Sequence, residues 1–136
     1  MAVLIANAAA TWAMTGLIWF VQVVHYPLLP PLDAAGNAEH QRRTGWVVAL
    51  PMAVEAITAV ALVADRPDGV PLGLAVAGLA LVAVLWVTTA LVQVPRHRDL
   101  ALGAGDAARL VRGNWIRTAA WTTRAGIAVA MLALAV

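Results

Sequence analysis

Four apolar runs, each near 20 residues long, dominate this chain: about 3–24, 44–64, 72–94 and 114–136. A helix rises 1.5 Å per residue, so about 20 residues cross a hydrocarbon core roughly 30 Å thick. Inside a bilayer every backbone polar group must be satisfied internally, which leaves only helices and closed barrels as spanning structures. The runs are continuous in Ala, Leu and Val and lack the alternation of barrel strands. The expected fold is therefore all-α: a single-domain integral membrane four-helix bundle, up-down-up-down over residues 1–136. Charge agrees with this. Only 12% of residues are charged and 62% are hydrophobic, against roughly 25% charged in a soluble domain. The first run has no basic segment before it and no small-residue cleavage site, so it reads as a retained helix rather than a signal peptide.

Composition also removes whole classes of chemistry. There is no Cys, which excludes thiol catalysis, iron–sulfur clusters and c-type haem attachment. Ser and Lys are absent too, so no serine nucleophile, Schiff base or P-loop lysine exists. The basic residues are nine Arg, with a net charge of only +2 and no exposed basic face bearing aromatics, so nucleic acid is not an expected partner. The expected partners are the lipid bilayer, a lipophilic small molecule and, through small residues such as Gly73, Ala77 and Gly78, further copies of the chain.

Arginine placement sets an expected orientation. The first and third connections carry Arg42, Arg43, Arg96, Arg98, Arg109 and Arg112, while the second carries Arg66 alone. By the positive-inside rule the first and third connections are cytoplasmic and both termini lie outside. The connections themselves are marked by Pro27, Pro30 and Pro31, by Asp65 to Gly69, and by Pro95 to Asp99. A short amphipathic helix capped by Asp106 is expected in the third.

Polar side chains within spans are costly and mark interiors or cavities. Trp12, Thr15, Trp19, Gln22 and His25 step by three or four along the first helix. Met52, Glu55 and Thr58 do so on the second, Trp86, Thr89 and Gln93 on the third, and Asn114, Arg117, Trp121 and Arg124 on the fourth. Four inward stripes would enclose one polar, aromatic-lined cavity. Glu55 and Arg124 lie roughly 15–16 Å from the cytoplasmic starts of their helices, at matching depth and opposite in charge, and are expected to pair. His25, His40 and His97 all fall at the cytoplasmic end, where three imidazoles could bind copper, iron or zinc. Histidines at or beyond helix ends fit haem ligation less well.

These residues support three readings. In the first, the protein is a membrane oxidoreductase: Glu55, Arg117 and Arg124 are catalytic, Trp19, Gln22, Trp86, Gln93, Asn114 and Trp121 bind a quinone- or aromatic-like substrate, and His25, His40 and His97 hold a metal. The second is a small-molecule binding or proton-coupled transport protein working through Glu55. The third is a structural or assembly subunit whose polar stripes face a partner.

The strings Val21-Gln22-Val23-Val24-His25-Tyr26-Pro27, Val94-Pro95-Arg96-His97 and Asn114-Trp115-Ile116-Arg117-Thr118-Ala119-Ala120-Trp121 resemble motifs of uncharacterised bacterial four-span membrane proteins, a likeness that covers the whole chain. It implies a bacterial inner-membrane location. More loosely, the layout resembles the anthrone oxygenase-like family, in which a Pro follows helix 1 and an Asn/His-x-x-Arg-Thr-like element opens helix 4. Asn114, Arg117 and Thr118 stand there in this sequence. That resemblance implies oxidation of a hydrophobic polycyclic substrate within the bundle. The His25-Tyr26-Pro27 and His97 strings depart from that family's pattern.

Overall fold

The computed structural model describes residues 1–27, 33–102, 105 and 107–136. All of its regular structure is helical. Helix α1 (Ala2–Phe20) runs on into a π-helical turn, Val21–His25. Helix α2 is Ala34–Ala64. Helix α3 (Leu72–Thr88) passes through a second π-helical turn, Thr89–Gln93, into α4 (Val94–Ala101). Helix α5 is Ala107–Leu134.

Two helices begin earlier than hydropathy predicts. Helix α2 starts at Ala34 rather than near residue 44 because Asp33 caps it: the Asp33 carboxylate accepts from the Gly36 amide at 2.7 Å. Its polar first turns are then held by Glu39, which accepts from Arg42 and Arg43, three and four residues on. Helix α5 absorbs Leu110, Val111 and Arg112, so these residues open the last helix instead of forming a separate amphipathic one. Asp106, the expected cap, lies outside the described residues, as do Pro30 and Pro31.

Pro95 does not end the third helix as expected. It stands in the first turn of α4, directly after the π turn, and the helix continues through it. Three stretches are long and apolar enough to cross a membrane: Ala2–His25, Ala38–Ala64 and Leu72–Leu100.

The long helices pack as a ring. Helix α1 contacts α2 and α5, and α3 contacts the same two. Neighbours run antiparallel. Asn7 near the start of α1 bonds Thr58 late in α2, while Gln22 near the other end of the first helix bonds Asn114 early in α5. The core is layered along the axis. At one end Leu4, Leu62, Val70, Ala75 and Met131 close the ring. The turn there needs Gly69, whose φ of +84° suits glycine, and any Cβ would strike the Leu134 carbonyl. Next comes a polar layer around Glu55 and Arg124, then a second apolar layer of Met14, Ile18, Met52, Leu85, Ala120 and Trp121. The far end holds the histidines.

Candidate functional site

The polar layer is a saturated network. Arg124 Nε donates to Glu55 Oε1 at 2.8 Å, so the expected pair forms, with the two side chains 3% and 2% exposed. These residues come from α5 and α2, which do not touch in the ring, and they therefore reach each other across its middle. Glu55 also accepts from Thr11 Oγ1 at 2.8 Å and from Trp121 Nε1 at 3.0 Å. Arg124 donates further to Thr11, Asn7 and the Gly78 carbonyl. Gly78 lets the guanidinium approach, since a Cβ there would stand only 3.4 Å from Nη1.

A cavity of about 460 Å³ lies at the histidine end. The two π turns, the start of α2 and Arg117 from α5 enclose it. A π turn widens a helix by one residue and re-aims the side chains beyond it. Here one π turn ends in His25 and the other in Gln93, and both residues line the cavity. Its walls are mostly apolar: Met14, Leu17, Ile18 and Val48 on the inside, with Phe20, Val47 and Val94 along the exposed rim.

Its polar lining includes His25, His40, Tyr26, His97, Gln93 and Arg117, together with Gln41, Arg43, Thr44 and Thr89. His25 Nε2 and His40 Nε2 stand 3.3 Å apart, with the rings nearly parallel. Tyr26 Oη and His97 Nε2 are 3.0 Å apart. Burial raises the Tyr26 phenol above its ordinary pKa, against the pull of the Arg117 charge. The phenol therefore keeps its proton beside His97. Arg117 Nη1 donates to Asn114 Oδ1 at 3.1 Å, and its guanidinium carbon sits 5.1 Å from the centre of the Trp121 ring. Three buried polar atoms in this region have no hydrogen-bond partner among the described residues: Gln93 Nε2, Gln93 Oε1 and Arg117 Nε.

The structure thus gathers His25, His40, His97, Gln93 and Arg117 at one cavity. Glu55, Arg124 and Trp121 are buried in the separate polar network. Gln22 and Asn114 join α1 to α5: Asn114 Nδ2 donates to Gln22 Oε1 at 2.9 Å, and Gln22 Nε2 donates to the Val111 carbonyl. Trp19 and Trp86 lie on the outer surface, away from the cavity. An indole ring facing hydrocarbon loses nothing, and Trp19 settles its N–H on Thr122 Oγ1 at 3.0 Å. The inward stripes therefore hold for Thr15, Gln22, Gln93 and Asn114 and not for Trp19, Trp86 or Trp12, which is 52% exposed, and the cavity is mostly apolar rather than polar and aromatic. The three histidines divide into a His25–His40 pair and a His97–Tyr26 pair. Among the described residues no three metal-binding side chains converge. Tyr26 is the cavity residue that sequence reasoning passed over; its one signal is its place as the chain's only Tyr, between His25 and Pro27.

Comparison of the chain with protein-family models, with curated proteins and with solved structures finds no match.

Proposed function

We propose that the chain is a four-span, up-down-up-down membrane protein of the oxidoreductase class. In this reading it draws a lipophilic, quinone- or aromatic-like molecule from the bilayer into the histidine-end cavity. One observation carries the proposal: an apolar-walled space of about 460 Å³ has partnerless polar atoms on two of its lining residues, Gln93 and Arg117. Ligand pockets pair such walls with a few polar groups that fix orientation, and buried groups without partners call for an explanation. The rim residues Phe20, Val47 and Val94 suit access from lipid rather than water. A ring oxygen in the cavity would lie among His25, Tyr26, His97 and Arg117, which can give or take the proton that accompanies electron transfer to or from a separate redox partner.

The fourth span in this reading is α5. Its arginines lower its hydropathy, but Arg117 and Arg124 both turn inward, at 9% and 3% exposure. The cavity end carries most of the remaining arginines, which favours the cytoplasmic side. Glu55 and Arg124 serve as the frame that holds α1, α2, α3 and α5 in register.

A photoreactive azidoquinone tests the proposal. Labelling of the protein in membranes should be saturable, competed by 1,4-naphthoquinone, and confined to peptides 14–26, 40–48 and 89–97. Non-saturable labelling spread over the outer helix faces would overturn it.

A further inference from the structure

We propose that His25 and His40 form a two-histidine site for one transition-metal ion of the zinc or copper class, with the remaining coordination positions open to the cavity. The two Nε2 atoms are 3.3 Å apart while the ring centres are 4.8 Å apart. The two nitrogens therefore face each other at hydrogen-bond distance, and an ion would take the place of the proton between them. Two imidazole nitrogens bound at about 2.0–2.1 Å to one tetrahedral ion are themselves about 3.3 Å apart, so the observed spacing is the bite of such an ion. Imidazole suits zinc and copper. Each ring sits on a helical element, His25 on the π turn after α1 and His40 early in α2. Both line the cavity, which leaves room for water or a ligand oxygen to complete the shell.

His97 takes a different part. Its Nε2 is engaged with the Tyr26 hydroxyl at 3.0 Å. This is why the three histidines expected to act together separate into two ligands and one hydrogen-bonded neighbour. The metal site stands on the His25–His40 geometry alone; only the use of its open positions by a substrate rests on the cavity reading above.

The test uses the full-length chain in detergent, stripped of metal and titrated with Co²⁺. Wild type should bind one equivalent and develop the visible bands of tetrahedral cobalt. His25→Ala and His40→Ala should each weaken binding at least tenfold, and His97→Ala should leave it within about twofold. Undiminished binding in the His25→Ala/His40→Ala double variant, or no binding by wild type, overturns the proposal. Should the variants fail to fold, Cu²⁺ electron paramagnetic resonance on wild type decides: hyperfine structure from two imidazole nitrogens supports the site, and any other number overturns it. The azidoquinone experiment on the metal-free protein reports separately on the cavity, so loss of metal binding with quinone labelling intact rejects only the metal.

Discussion

Gln93 sets stability against function more sharply than any other residue. Its side chain is 2% exposed, and both amide atoms lack partners among the described residues. An unsatisfied buried group costs about 1–3 kcal/mol. Gln93→Leu should therefore raise the melting temperature in detergent while weakening quinone labelling. A stabilised variant with unchanged labelling would remove Gln93 from the binding site. Glu55 and Arg124 present the opposite case. Their bonds are complete, so removing one partner leaves a buried charge alone, at about 3–5 kcal/mol. Glu55→Leu and Arg124→Leu should each melt well below wild type. The double variant should recover much of the loss, because two apolar side chains replace a pair whose burial was itself expensive. Thermal melts of the three variants measure this coupling directly, and additive losses would refute it.

Among the elements, the two π turns matter most, since both open onto the cavity. Inserting one alanine after Val94, just beyond the Thr89–Gln93 turn, should rotate everything that follows by about 100°, the angle per residue of a helix with 3.6 residues per turn. His97 would leave Tyr26. The insertion is expected to preserve helical circular dichroism while abolishing saturable quinone labelling; retained labelling would show that the phase of α4 does not position the site. The approach of α4 to α5 depends on Gly113. Arg96 crosses its backbone and donates to the Arg109 carbonyl at 2.8 Å, and a Cβ on Gly113 would collide with the Arg96 guanidinium. Gly113→Ala should displace Arg96 and lower the melting temperature, whereas an unchanged melt would mean that Arg96 swings aside freely.

For the whole molecule, the decisive question is how the ring of helices sits in the bilayer. The chain contains no Cys, so any introduced thiol reports alone. Arg98→Cys and Asp68→Cys should react with a membrane-impermeant maleimide from opposite sides, residue 98 from the cytoplasm and residue 68 from outside. Labelling of both from one side would exclude the up-down topology. The layering gives this arrangement its logic. An apolar plug closes one end, the Glu55–Arg124 layer locks the middle, and the cavity is left at the end where the arginines cluster.

Hydropathy and residue spacing were enough to determine the helical class and the pairing of Glu55 with Arg124; of the four spans they predicted, three are long and apolar enough to cross a membrane. These rest on local periodicity, on the cost of exposing backbone polar groups to hydrocarbon, and on matched depth along two helices. Local pattern could not reveal the π turns, because a π turn leaves no fixed signature in the residues that form it. Nor could it separate filled space from empty space. Trp121 and Trp19 occupy equivalent-looking stripe positions, yet one is fully buried beside Glu55 and the other is 41% exposed. Which side chains saturate one another, and which remain without partners beside a cavity, depends on how four distant segments pack. Only the tertiary structure could divide the histidines into a converging pair and a Tyr26-bound third, since their ring separations are set by contacts between helices rather than by spacing along the chain.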